Sequence, residues 1–327
     1  MRYRVSVVVP TYKRPELLAR CLNALAAQEI DPRSYEIIVV DDAACQQTWR
    51  LVEEMARHLL ARDGPCLRYI AVCGKRHGPA AARNIGWRAA QGELIAFTDD
   101  DCIPQQDWLR AGTAAFVDGV IGVSGKVFVP LPEMPTDYER NAARLAYSEF
   151  VTANCFYRRS ALEAVGGFDE RFTMAWREDS DLFFRLLKEE GKLLSVPSAT
   201  VIHPLRPARW GISLSQQRKS MFNALLYKKH PQLYQRKIQA TPPWHYYGIV
   251  ASALLALSGL VLGAPYIVLG AACAWTLLTG WFCLLRLRHT SHLPRHVVEM
   301  VVTSLLIPPL AIYWRIAGAL KFRVLFF

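Results

Sequence analysis

Short apolar runs alternate with amphipathic stretches through the first 200 residues of the 327-residue chain. Runs with the length and composition of buried strands cover residues 5–9, 36–40, 67–72 and 93–98. Between these runs, apolar positions recur at helical spacing over residues 15–27, 48–60 and 79–90. Short apolar strands separated by helices predict an α/β domain whose parallel sheet is covered on both faces.

The pattern changes near residue 205 and divides the chain into three parts. Residues 1–205 are expected to form the α/β domain. Residues 206–240 contain eight basic residues and no acidic one, with apolar residues interleaved, which predicts a basic amphipathic segment at a membrane surface. Residues 241–327 are predicted to form a membrane region.

Three long apolar stretches support the prediction of a membrane region. Residues 246–263 and 266–285 carry no charge, and at ~1.5 Å per residue each can cross a ~30 Å bilayer core. Only Ala264 and Pro265 separate them, which predicts a hairpin. Residues 297–320 are interrupted by Pro308-Pro309, which favours a broken, re-entrant or in-plane helix. Core helices of a soluble domain are the alternative.

The charge of the chain is concentrated in its C-terminal part. Residues 206–327 hold 14 Lys or Arg and one acidic residue, whereas residues 1–205 hold 25 Lys or Arg against 27 acidic residues. Beside apolar helices this asymmetry indicates an anionic membrane, and the absence of a zinc module or basic-region helix argues against a nucleic-acid partner. The basic residues after the predicted hairpin place that loop, and with it the first 205 residues, on the cytoplasmic side of the cell membrane.

The eight cysteines show no paired spacing and no CxxC. This pattern argues against a cysteine metal cage or a redox pair. The cysteines are therefore expected to be reduced thiols that serve as small apolar residues.

Acidic clusters follow two of the predicted strands. Asp41 and Asp42 end the second strand, and Asp99, Asp100 and Asp101 follow the fourth. Ligands of parallel α/β sheets bind beyond the carboxyl ends of the strands. Three adjacent carboxylates repel one another unless a cation lies among them, which predicts a Mg²⁺ or Mn²⁺ site completed by a nucleotide diphosphate. A solvated acidic loop is the alternative.

Four ordered segments strengthen this prediction: VSVVVPTYKRPELLARCLNAL, EIIVVDD, GPAAARNIGWRAAQGELIAFTDDDC and GGFDERFTMAWREDSDLFFRL. Over residues 4–205 they resemble the family-two glycosyltransferases of the GT-A fold. The resemblance implies a Rossmann-like domain with a mostly parallel central sheet, a nucleotide-diphosphosugar donor and metal dependence. It also implies inversion at the anomeric carbon.

The resemblance assigns several residues to the donor nucleotide. Pro10 and Thr11 would begin the loop against the nucleoside, and Asp41, with Asp42 beside it, would accept a hydrogen bond from the base. A uracil N–H suits such a carboxylate, so a UDP-sugar is the expected donor. Arg83 would offset phosphate charge. The alternatives are a helix N-cap for Asp41 and a surface salt bridge for Arg83.

The resemblance also assigns the metal site. Asp99 and Asp101 occupy the outer positions of a DxD motif, with Asp101 as the direct metal ligand and Asp99 as a metal, ribose or water contact. Asp100 occupies the variable position on the donor side. His203 would complete the metal or diphosphate site, or would be structural.

Acceptor-side residues follow later in the chain. Inverting transfer needs a base that takes the proton of the acceptor hydroxyl, and the resemblance implies Asp179 for this role, with Glu178 as a positioning group. A partner of a helix dipole is the alternative for these acids. Gly166, Gly167 and Trp176 are predicted to shape the acceptor pocket.

Two departures from the family pattern narrow the expected reaction. Asp41-Asp42-Ala43-Ala44 stands where the family usually has DDGS. Arg206-Pro207-Ala208-Arg209-Trp210 stands where processive synthases carry QxxRW. We therefore expect single-sugar transfer to a membrane-bound lipid or lipid-linked glycan, as in the biosynthesis of cell-envelope glycans. A small processive synthase and a catalytically dead nucleotide-sugar-binding scaffold are the alternatives.

Overall fold

A computed structural model describes residues 3–74 and 77–326. They form two compact units. The first unit contains the described residues up to Pro130 together with Arg144–Leu205, and the second contains Leu131–Ala143 together with the described residues from Arg206 onward. The hydrophobic pattern did not set the insert Leu131–Ala143 apart from its neighbours.

The first unit is built on one mixed sheet of eight strands in the order β3-β2-β1-β4-β7-β6-β8-β5. The first four strands are mutually parallel neighbours, β7 is antiparallel to both β4 and β6, and β5 is antiparallel to β8. The four predicted strands are confirmed as β1 to β4. The bounds are β1 Tyr3–Thr11, β2 Tyr35–Asp41, β3 Cys66–Ala71, β4 Gly92–Phe97, β5 Ile103–Pro104, β6 Val120–Phe128, β7 Cys155–Arg158 and β8 Lys192–Ile202.

Amphipathic helices accompany this sheet. In the first helix, Leu18, Leu22 and Leu25 recur at helical spacing and are fully buried, as the sequence pattern predicts. Gly86 allows the third helix to approach β1, because a Cβ at that position would lie 2.3 Å from Val8 Cγ1. The helices of this unit are α1 Pro15–Ala26, α2 Gln46–Leu60, α3 Pro79–Ala89, α4 Trp108–Ala114, α6 Arg159–Val165 and α7 Glu178–Leu186.

The second unit is helical. Its helices are α5 Asp137–Ala143, α8 Ile212–Gln216, α9 Met221–Lys229, α10 Pro231–Lys237, α11 Trp244–Val261, α12 Pro265–Leu287 and α13 Pro294–Phe322. By length and composition, α11, α12 and α13 can each cross a membrane.

The third apolar helix differs from the expectation. α13 continues through Pro308 and Pro309, so the predicted break at these prolines is wrong. Each proline removes one backbone donor, but packing against neighbouring helices can hold a helix together at such a position. Pro308 is buried within the second unit, where α13 packs against α9, α11 and α12.

The basic segment 206–240 also packs more closely than expected. The apolar residues of α9 are buried, and α9 contacts α13 so closely that a Cβ on Gly318 would lie 2.4 Å from the Met221 carbonyl oxygen. The apolar side of α9 is therefore buried within the second unit, where α9 packs against α13. Several basic side chains of the segment remain exposed, namely Arg209, Arg218, Lys228, Arg236 and Lys237.

Candidate active site

The acidic triplet begins after the buried end of β4, beside the end of β1. Thr11 Oγ1 donates a hydrogen bond to Asp100 Oδ2 at 2.8 Å, and Arg14 Nη1 donates to Asp100 Oδ1 at 3.3 Å. Only 3% of Asp100 is exposed, and burial raises its pKa to about 6. The middle carboxylate is thus bonded within the protein, at the ends of β1 and β4, which are neighbouring strands in the sheet.

Arg83, on α3, connects two acidic segments. Its Nη2 donates to Asp99 Oδ1 at 2.8 Å, and its Nη1 donates to Glu178 Oε1 at 3.0 Å. The guanidinium also lies 5.8 Å from the centre of the Phe168 ring. Because the Arg83 side chain is 3% exposed, the alternative of a surface salt bridge is wrong. One buried cation joins the first residue of the triplet to the first residue of α7.

Glu178 and Asp179 have different environments at the start of α7. Glu178 is buried, and its Oε2 has no hydrogen-bond partner among the described residues. Burial and the neighbouring Asp179 raise the pKa of Glu178, while Arg83 opposes this effect. Asp179 is half-buried and its Oδ1 accepts a 2.6 Å bond from the Ser180 N–H. Asp179 is therefore the more accessible carboxylate of the two.

The pKa of Asp179 is raised, chiefly by burial, whereas the backbone N–H of Ser180 and the nearby cations act in the opposite direction. The preceding residue, Arg177, has a left-handed backbone with φ 76°. A non-glycine residue in this conformation carries strain, which is common where a backbone is held for function. Because its pKa is raised, the Asp179 carboxylate is a stronger proton acceptor than a fully solvated carboxylate.

Asp101, near the middle of the sequence of the first unit, and His203, near its end, come together in space. His203 Nε2 lies 3.5 Å from Asp101 Oδ1, and the Sγ of Cys102 lies within 4.8 Å of ligand atoms of both residues. Carboxylate oxygen and imidazole nitrogen are suitable ligands for Mn²⁺, and oxygen ligands suit Mg²⁺. The donor set therefore fits the divalent cation implied by the sequence. Asp99 lies on the Arg83 side of the triplet.

The second predicted nucleotide contact, Asp41, is fully buried at the end of β2. Its carboxylate accepts hydrogen bonds from the backbone N–H groups of Ala43 at 2.9 Å and Cys45 at 2.7 Å, and from Tyr69 Oη at 3.0 Å. These bonds close the turn between β2 and α2. The arrangement gives Asp41 a structural role similar to the N-cap alternative, although Cys45 is the N-cap residue.

Asp42 holds the loop that precedes α3. Its Oδ2 accepts a 2.9 Å bond from the Gly78 N–H, and its Oδ1 lies 2.9 Å from His77 Nδ1. The hydrogen bond to Asp42 raises the pKa of His77. Pro10, half-buried in β1, pairs with Val40 of β2 in register, so it lies next to the end of β2 that leads into Asp41 and Asp42.

Asn84 is a site residue that the sequence analysis missed. Its Nδ2 donates to the Phe168 carbonyl at 2.8 Å, and its Oδ1 accepts the Phe168 N–H at 2.9 Å. Gly167 has φ 72°, and a Cβ there would lie 2.5 Å from Asn84 Oδ1. Asn84 directly follows Arg83 in the sequence, and this position was the signal that could have pointed to it. Its partner, Phe168, lies 84 residues away, so the local pattern could not predict the contact.

The remaining predicted acceptor residues lie near this loop in the chain. Gly166, with φ 75°, ends α6 in the left-handed conformation that favours glycine. Trp176 is 38% exposed, and the Arg177 guanidinium lies 4.5 Å from the centre of its ring. The Trp176 side chain is thus partly exposed, whereas the two glycines set the path of the backbone.

Comparison with known proteins identifies the family of the chain. A model of "Glycosyl transferase family 2" matches residues 6–176, and one of "Glycosyl transferase family group 2" matches residues 95–316. Glycosyltransferase AglE of Haloferax volcanii is 33% identical over 175 residues, which are 50% of this chain and 55% of that protein. The chain spans about half or less of the length of the curated relatives it matches.

Solved structures show the same fold. The mannosyltransferase PcManGT from Pyrobaculum calidifontis, in complex with GDP-Man and Mn²⁺, superposes with a TM-score of 0.55 at 22% identity, over 99% of this chain and 88% of that one. Staphylococcus aureus TarS 1–349 in complex with UDP-GlcNAc gives 0.50 at 18% identity, over 96% and 92%. Since a family model covers more than half of its residues, the chain belongs to glycosyl transferase family 2 and has the GT-A fold.

Proposed function

We propose that this glycosyltransferase inverts the anomeric carbon and transfers one sugar from a nucleotide diphosphosugar to a membrane-bound lipid or lipid-linked glycan. The observation that carries the proposal is the Arg83 bridge, in which one buried guanidinium contacts both Asp99 and Glu178. The bridge holds the predicted donor-side and acceptor-side acids at one location. An ion pair with only a structural role would not need an accessible carboxylate beside it. Here the accessible Asp179 directly follows Glu178.

Asp179 is the proposed general base. It takes the proton of the acceptor hydroxyl as that oxygen attacks the anomeric carbon, and the nucleoside diphosphate leaves from the opposite face. Its raised pKa and its partial exposure suit this role. Glu178 and Arg83 act as positioning residues, because their mutual contact fixes the start of α7.

Asp101 and His203, with Asp99 nearby, would hold Mg²⁺ or Mn²⁺. A bound cation would neutralise the diphosphate and stabilise the leaving group. We propose a UDP-sugar as donor, but the three hydrogen bonds that Asp41 already accepts reduce its availability to a base. Solved neighbours bind GDP-Man and UDP-GlcNAc, so both nucleotides belong in the donor test.

We propose that α11, α12 and α13 attach the protein to the cell membrane as a multi-pass protein, with the first unit on the cytoplasmic side. The exposed basic residues of segment 206–240 would contact anionic lipid, each contributing ~1 kcal/mol. Because the apolar side of α9 is buried, this contact is electrostatic and should weaken at high salt.

The test measures donor turnover by the full chain in nanodiscs, with UDP-sugars and GDP-sugars and with Mn²⁺ or Mg²⁺. We expect metal-dependent release of the nucleoside diphosphate from one donor class and its loss in Asp101→Ala. Asp118→Ala, which removes an exposed carboxylate, is the matched control and should behave as the wild type. Metal-independent turnover, or full activity of Asp101→Ala, would refute the proposed metal-dependent reaction.

A further inference from the structure

A thiol lies beside the proposed metal site. Cys102 is fully buried, and its Sγ, an Asp101 carboxylate oxygen and a His203 ring nitrogen all lie within 4.8 Å of one another. Within this group, His203 Nε2 and Asp101 Oδ1 are 3.5 Å apart. The site thus offers one sulfur, one nitrogen and one oxygen ligand.

The Cys102 sulfur adds to Asp101 and His203 a ligand that Mg²⁺ and Mn²⁺ do not favour. Mg²⁺ prefers near-octahedral oxygen ligands, whereas sulfur ligands favour softer metals such as Zn²⁺. Zinc bonds are ~2.3 Å to sulfur, ~2.0–2.1 Å to nitrogen and ~2.0–2.2 Å to oxygen, so tetrahedral ligands lie ~3.3–3.7 Å apart. The His203 and Asp101 ligand atoms, 3.5 Å apart, already have this spacing. The pairs that include Cys102 Sγ, within 4.8 Å, need a contraction of no more than about 1.3 Å.

We propose that Asp101, Cys102 and His203 form a three-ligand Zn²⁺ site that overlaps the Mg²⁺ or Mn²⁺ position, so that Zn²⁺ inhibits the enzyme. The proposal rests on the metal site of the proposed function. Binding converts the thiol to a thiolate and releases its proton to solvent. Affinity for a given site rises from Mn²⁺ towards Zn²⁺, and the thiolate increases that difference.

Inhibition follows from the coordination number. A four-coordinate Zn²⁺ with three protein ligands keeps one open position. A diphosphate that chelates through two oxygens needs two positions. Zn²⁺ would therefore occupy the site without supporting the bidentate donor complex.

Cys21 provides the matched control. Its Sγ is also buried and lies 3.5 Å from the Asp99 carbonyl oxygen, close to the same triplet. Cys21 does not belong to the Asp101–Cys102–His203 group. Replacing it tests the effect of losing a buried thiol near the site without removing the proposed ligand.

The first experiment titrates the full chain in nanodiscs with Co²⁺, a spectroscopic substitute for Zn²⁺, and then with Zn²⁺ and Mn²⁺. The exposed thiols Cys66, Cys73 and Cys273 are replaced by Ser in every protein used. We expect a sulfur-to-cobalt charge-transfer band in this parent and in Cys21→Ser, but not in Cys102→Ser. Cys102→Ser should weaken Zn²⁺ binding by more than about tenfold, ~1.4 kcal/mol, and change Mn²⁺ binding by less than about twofold.

A second experiment needs no substitution of Cys102, so it remains decisive if that variant fails to fold. Zinc X-ray absorption of the parent loaded with one equivalent of Zn²⁺ should show one sulfur at ~2.3 Å. A zinc coordination shell of oxygen and nitrogen alone would overturn the inference. Equal weakening of Zn²⁺ binding and Mn²⁺ binding in Cys102→Ser would also overturn it.

Asp101→Asn separates the inference from the proposed function. Loss of Mn²⁺ binding in Asp101→Asn without a zinc–sulfur bond in the parent would refute the inference and leave the proposed metal site intact. Unchanged Mn²⁺ binding in Asp101→Asn would refute the proposed metal site, and with it the overlap on which inhibition depends.

Discussion

The Arg83 bridge can be tested by removing its cation. Arg83→Met deletes the guanidinium that donates to Asp99 at 2.8 Å and to Glu178 at 3.0 Å while keeping an unbranched apolar stem. Asp99, whose side chain is 29% exposed, can be rehydrated, but the Glu178 side chain, at 4% exposure, cannot. The variant therefore leaves an unpaired carboxylate in a buried position.

The expected cost follows from this burial. Removing one partner of a buried ion pair typically destabilises a protein by ~3–5 kcal/mol, and we expect such a loss in the first unit at pH 8. Burial already raises the pKa of Glu178, and loss of Arg83 raises it further. The carboxyl is then neutral at pH 5 and must ionise within a buried site as the pH rises. The destabilisation caused by Arg83→Met should therefore be smaller at pH 5 than at pH 8.

Hydrogen exchange measured by mass spectrometry on peptides from β4 and α7 reports this opening free energy in the full chain. Arg110→Met is the matched control, because its pair with Glu29 at 3.3 Å is 61% and 55% exposed and should contribute less than ~1 kcal/mol. Adding Glu178→Gln to Arg83→Met should recover most of the loss at pH 8. Equal effects of Arg83→Met and Arg110→Met, or no recovery, would refute the reasoning.

Three further predictions concern other positions. In the metal-free chain, the pKa of Asp100 is raised from 3.8 to about 6. The free energy of unfolding should therefore fall by ~3 kcal/mol as the pH rises through this window. Asp100→Asn should abolish this part of the pH dependence of unfolding. Gly167→Ala should lower the melting temperature, because its Cβ would lie 2.5 Å from Asn84 Oδ1 at φ 72°. Gly318→Val should do the same by separating α9 from α13, whereas Gly280→Ala, with open space around it, should not.

The sequence predicted those parts of the fold that depend on local hydrophobic pattern. β1, β2 and β4 are short apolar runs, so their presence and the convergence of acids at their ends could be inferred. β8 could not, because Lys192–Ile202 is buried at only two positions, Ala199 and Val201. Its pairing with β6 joins segments about 70 residues apart, and periodicity carries no information on such partners.

The site shows the same limit. A carboxylate triplet after a buried strand indicated a cation, but it did not indicate that Asp100 would be bonded to Thr11 while Arg83 bonded Asp99 and Glu178. These contacts depend on tertiary packing between elements that are distant in sequence. The family resemblance supplied candidate residues, and the geometry separated the accessible Asp179 from the buried Glu178.

The elements of the second unit were predicted less completely. The long apolar stretches appear as α11, α12 and α13, but Pro308-Pro309 does not interrupt α13. A sequence rule for proline describes an isolated helix, whereas here the helix packs against its neighbours. The insertion of Leu131–Ala143 into the second unit is also a tertiary effect. There Asp137 accepts a 2.8 Å bond from Arg286 of α12, 149 residues away.

The central claim is that Asp179 is the base of a sugar transfer. The most direct test is a single-turnover measurement with saturating donor and acceptor, alongside a binding measurement of the donor, for the wild type and Asp179→Asn. The substitution keeps the size of the side chain and an oxygen that can accept the Ser180 N–H. We predict a rate lower by ~10²–10⁴-fold, the usual contribution of a general base, with donor affinity nearly unchanged. A normal rate in Asp179→Asn, with or without a loss of donor affinity, would contradict the account.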